Sequence, residues 1–68
     1  MRILVKTCDV FKSLNHKNKY FYEFIIYVMV DDTPIEAYTE IGGELRNKRI
    51  IELMSAHDIK DEQVSIIY

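Results

Sequence analysis

Between Tyr20 and Val30 only Glu23 is neither apolar nor aromatic. A strand with one wet face alternates apolar with polar residues, so an unbroken run predicts a strand covered on both faces. Residues 2–12, RILVKTCDVFK, are rich in apolar and β-branched types without a helical period and predict a second strand. The polar run SLNHKNK between them reads as a hairpin loop, which makes the pair antiparallel.

The next segment supports two readings. Thr33-Pro34-Ile35-Glu36 has the form of a capping box with proline at the first helical position. Against it, Ile35, Ala37, Thr39 and Ile41 alternate with Glu36, Tyr38 and Glu40, the pattern of a half-buried strand. The strand, over 35–41 after a turn from Asp31 to Pro34, is the favoured reading. Gly42-Gly43 then releases the chain into ELRNKRIIELMSAHD. Ile50, Ile51, Leu53, Met54 and His57 fall in one helical arc there, with Lys48, Arg49, Glu52 and Ser55 opposite. Arg49 and Glu52, three apart, are expected to pair on the wet side. QVSIIY predicts a short last strand. The expected fold class is α+β: a small antiparallel sheet of three to four strands with one amphipathic helix on one face, ordered β-β-β-α-β in a single domain over 1–68.

One helix covers one face. Tyr20, Tyr22, Phe24, Ile26, Val28 and Val30 share the side expected to meet it, while Phe21, Glu23, Ile25, Tyr27, Met29 and Asp31 share the other. Phe21, Ile25, Tyr27 and Met29 form an apolar patch larger than a monomer ordinarily exposes. They are the expected interface residues of a homo-oligomer, a two-fold dimer being the simplest form. A foreign protein, or the chain's own ends, is the other way to cover them.

Composition sharpens this picture. A chain of 68 residues buries only about 60% of its unfolded surface and needs support from outside its core. Cys8 is the sole cysteine, so no intramolecular disulfide forms. Cys8, His16 and His57 lack any metal-ligand spacing, and no metal or other cofactor is expected. A net charge of −2 argues against general nucleic-acid binding. No leader is evident, and the apolar run is shorter than the roughly 20 residues of a membrane helix, so a cytoplasmic protein without membrane contact is expected. Ile, Lys, Asn and Tyr far outnumber Gly, Ala and Pro, which fits an A/T-rich genome.

Candidate chemistry is thin. Cys8, Asp9 and His16 are the residue types of a thiol centre, but strand neighbours point to opposite faces, and a structural cysteine is the better reading. His57 suits the negative end of the helix dipole and the core side of the helix. Gly42 and Gly43 precede the helix, and Arg46, Lys48 and Arg49 place cations in its first turns, where the dipole disfavours them. Sequences tend to break stability rules where they work, so these five residues are the candidate anion or nucleotide site. HKNKYFY mixes bases with aromatics as single-strand binders do, yet two lysines give it little reach, and a solvated hairpin tip is expected. Asp31, Asp32, Glu36 and Glu40 make the other end acidic, a distribution that orients protein partners.

In size, composition and topology the chain is similar to small phage-encoded inhibitors and antitoxins, a likeness that carries no residue motif. The expected function is a non-enzymatic oligomeric binding protein of the phage-type inhibitor or antitoxin-like kind, which binds and blocks a host protein or defence system. The alternative is a nucleotide- or nucleic-acid-binding module, a ligand sponge, using the basic start of the helix.

Overall fold

The computed structural model describes residues 1–12 and 20–67, with side chains for 1–8 and 22–67. Strands β1 (Arg2–Lys12) and β2 (Tyr20–Val30) form the long antiparallel pair, and β3 (Thr33–Ile41) follows on the other side of β2. Helix α1 (Gly43–His57), a 3₁₀ turn over Asp61–Gln63 and β4 (Val64–Ile67) complete the order β-β-β-α-β, so the fold is α+β. Of the two readings of the third segment, the strand is the one formed.

The sheet order is β3-β2-β1-β4. The antiparallel expectation holds for the first three strands, but β4 pairs parallel with β1 and the sheet is mixed. The cause is directional. α1 carries the chain back along the sheet, so the next strand runs with β3 and therefore with β1.

Turn chemistry fixes the joints. β2 and β3 are joined by Asp31-Asp32, two residues rather than the four expected, with Asp31 left-handed at φ 55°. Aspartate tolerates that region better than most residues. Pro34 falls inside β3, on the sheet edge, where its missing N–H breaks no ladder. Gly42 has φ 92° and ψ 151°, a conformation closed to residues with a Cβ, and its N–H donates to the Tyr22 carbonyl at 2.9 Å. At the far end of α1, Asp58 is left-handed and the Ile59 N–H closes on the Met54 carbonyl at 2.9 Å. That closure turns Ile59 into the core.

The core lies between α1 and one sheet face. Ile3, Val5, Ile26 and Val28 are wholly buried, and Phe24, Ile50, Leu53 and Ile59 complete the cluster. In register, Ile3 faces Val28 and Val5 faces Ile26, so alternation puts all four on the helix side. Two sequence expectations are corrected here. Tyr22 and Val30, placed on the core face, are 54% and 38% exposed because they lie on that face beyond the ends of the buried cluster. Ile51, placed in the buried arc of the helix, is 67% exposed. α1 packs over β2 and β3, so its flank toward β4 meets an open groove lined by Ile50, Ile51, Met54, Val64 and Ile66.

The contrast is testable by urea unfolding. Ile26→Ala should cost about 2–5 kcal/mol as its cavity cannot collapse, whereas Ile51→Ala should stay within about 0.5 kcal/mol.

Candidate functional site

Three regions carry the polar and exposed apolar groups. The first is the seam between α1 and the edge strand β3. Glu36, Tyr38 and Glu40 sit on alternate positions of β3 and share the helix side, because they pair in register with Val28, Ile26 and Phe24. His57 Nε2 donates to Glu36 Oε2 at 2.6 Å, and the Tyr38 hydroxyl donates to Glu36 Oε1. Nearly two turns from the start of α1, Arg49 Nε donates to Glu40 Oε2 at 2.8 Å, while its Nη1 lies 3.6 Å from Glu52, the pairing expected from sequence. The Arg49 guanidinium also covers the Tyr38 ring, 4.6 Å from its centroid. A cation over an aromatic face is worth about 0.5–1 kcal/mol at an exposed site.

These contacts shift the groups. The Tyr38 hydrogen bond, opposed in part by desolvation and reinforced by His57, holds the Glu36 carboxyl below its ordinary value. The same bond raises the Tyr38 hydroxyl, and the bond to Glu40 raises Arg49. Sequence reasoning treated Glu36 and Glu40 as a free acidic end, whereas both are engaged by α1. His57 is structural as expected, but its partner is a carboxylate rather than the helix dipole alone. Strand alternation, set against the helix period, is the signal that could have joined them.

The second region is the sheet face turned away from α1. Leu4, Ile25 and Tyr27 are half-buried there, Ile41 is 39% and Ile67 50% exposed, and their register places them across all four strands. No described residue lies over this band. Of the expected interface residues, Ile25 and Tyr27 belong to it. Met29 is on the same side but only 8% exposed, at the end where β2–β3 pairing is irregular and its cross-strand partner Arg2 reaches toward Asp32 at 3.8 Å. The Phe21 side chain lies outside the described residues. Cys8 is half-buried in β1, beside an irregularity between Thr7 and Val10. The Asp9 side chain, His16 and the loop residues of HKNKYFY also lie outside the described residues.

The third region is the start of α1. Of the three cations expected around Gly42-Gly43, Arg46 stands beside Gly43, its Nη2 3.9 Å from where a Cβ there would be. Arg49 is held at Glu40, Lys48 is exposed, and the Arg46 guanidinium rests 4.5 Å from the centroid of the Phe24 ring. Thr7 and Phe24, which the sequence did not single out as ligand-facing, and Tyr22, the last residue of HKNKYFY, stand around Arg46. Among the described residues no group of three metal-ligating side chains forms, and no helix is long and apolar enough to cross a membrane. Comparison with protein-family models, curated proteins and solved structures finds no match for the chain.

The seam predicts an acid-limb dependence. A carboxylate whose value is lowered by folding adds stability above its ordinary value near 4.5 and loses that addition as pH falls through the folded value. Urea midpoints of the unaltered chain should therefore fall from pH 6 to pH 3 more steeply than those of Glu36→Gln. Parallel slopes in the two proteins would remove Glu36 from the account.

Proposed function

We propose that the protein is a non-enzymatic binding protein that works as a homodimer, joined through the sheet face turned away from α1. The observation that carries this reading is the band of Leu4, Ile25, Tyr27, Ile41 and Ile67 across the strands with no described residue over it. A bare sheet face of this kind is a surface to be covered rather than left wet.

A second copy suits it for two reasons. The molecule measures 40 × 20 × 18 Å, so the face is one of its broad sides and is wide enough to seat a second copy. The face also carries charges of both signs within the band: Lys6 stands between Ile25 and Ile67 in register, and Glu23 is paired with Ile41. A face bearing both signs is complementary to itself under a two-fold axis, where Lys6 of one copy meets Glu23 of the other. The strongest polar groups of the chain, Glu36, Tyr38, His57, Glu40 and Arg49, are spent on holding the helix to the sheet, which favours binding over catalysis. Blocking a target protein by occupying its surface, as an inhibitor of a host protein does, is work such a dimer performs without chemistry.

Sedimentation equilibrium at micromolar concentration should return twice the chain mass of 8.1 kDa. Tyr27→Asp should shift the protein to monomer or to aggregate, while Ile51→Asp, on the exposed flank of the helix, should leave the dimer intact. A well-folded wild-type monomer would sink the reading, and so would a dimer broken only by Ile51→Asp.

A further inference from the structure

On the helix side of the sheet, where α1 begins, a cavity of about 400 Å³ is lined by Thr7, Tyr22, Phe24 and Arg46. That volume falls in the range of small-molecule pockets. Two of its walls are aromatic: the Tyr22 and Phe24 rings lie 6.3 Å apart between centroids, tilted by 49°, and Tyr22 is 54% exposed. Thr7 lines it too, although its Oγ1 is sealed from solvent and has no hydrogen-bond partner among the described residues.

The cation in this cavity rests on the Phe24 ring, 4.5 Å from its centroid, and has no anionic partner among the described residues. Arg46 Nε donates to Asn47 Oδ1 at 3.1 Å. The terminal N–H groups are therefore open to an acceptor. Arg46 Nη2 lies 3.9 Å from the position a Cβ on Gly43 would take, which sets the charge over the first residue of the helix. The Arg46 backbone N–H bonds the Gly42 carbonyl at 3.1 Å, and α1 has no side-chain cap, so the amides of Gly43, Glu44 and Leu45 stand ahead of the first helical bond. Cation and amides thus meet at the positive end of the helix, where stability alone selects against arginine. The irregularity in β1 just after Thr7 adds to the pattern, since bulges re-aim strands beside binding sites.

We propose that this cavity binds a small aromatic anion, a planar ring bearing a carboxylate or a phosphate. The ring enters beside the exposed Tyr22 ring. The anionic group takes the terminal N–H groups of Arg46 together with the first amides of α1. Neither half of such a ligand satisfies the site alone. Inorganic phosphate leaves the aromatic wall unfilled, and a neutral ring leaves Arg46 without an anion.

The test is an amide NMR titration of the full chain with phenyl phosphate and with benzoate, against inorganic phosphate and phenol. Saturable shifts centred on Thr7, Gly43, Glu44 and Leu45 are expected with at least one aromatic anion, and the stronger of the two tells phosphate from carboxylate ligands. Binding should be at least tenfold weaker for phenol and for inorganic phosphate, and at least tenfold weaker in Arg46→Gln. Tyr22→Ala, at an exposed ring, should also weaken binding and serves if Arg46→Gln does not fold. The absence of saturable shifts at these amides overturns the site, as does unchanged affinity in either folded variant. Equal affinity for inorganic phosphate overturns the aromatic part. The cavity and the proposed dimer face lie on opposite sides of the sheet, so this result and the oligomeric state are read independently.

Discussion

A helix is about 10–12 Å across with its side chains, and four strands at about 4.8 Å spacing make a wider face than that. One helix on four strands therefore covers half of one side. The rest of this structure follows from that inequality. α1 lies over β2 and β3, and the wholly buried residues Ile3, Val5, Ile26 and Val28 come from the two central strands, β1 and β2. Beyond the helix, Ile51 and Ile66 look into an open groove, and beneath the sheet no second layer forms over Ile25 and Tyr27 among the described residues.

What sets the helix toward β3 rather than centring it is the polar seam. Glu36, Tyr38 and Glu40 present alternate positions of the edge strand to α1, and His57 and Arg49 meet them from the last turn and the first half of the helix. Half-exposed ion pairs contribute little to stability singly. Here they act in a chain, with Tyr38 bonded to Glu36 and covered by Arg49, so their main effect is on position. Hydrophobic burial has no direction, and an apolar stripe alone would let the helix slide along the groove. The seam gives the docking a register.

That register separates the molecule's surfaces. On the helix side, the start of α1 brings Arg46 over Phe24 beside the exposed Tyr22 ring. On the far side lies the apolar band, with Lys6 and Glu23 set among its residues. The sheet holds the two apart. A protein built this way can associate through one face and receive a ligand on the other without the two events competing for residues.

Much of the architecture was legible in the chain. The limits of β1 and β2, the glycine-marked start of α1 and the order of elements follow from local patterning: alternation, turn residues and helical period act over a few neighbours. Of the site, the open face was legible too, because Ile25 and Tyr27 sit opposite Phe24 and Ile26 on a strand of fixed period. Other features were not. That β4 runs parallel to β1, that Ile51 is wet and Met29 enclosed, and that Glu36 and Glu40 hold the helix all depend on residues distant in sequence. The grouping of Thr7, Tyr22, Phe24 and Arg46 depends on them as well. Local periodicity determines which side of an element is apolar. Only the docking of one element on another decides which part of that side is covered, since coverage is a property of two surfaces and a strand or helix specifies only its own.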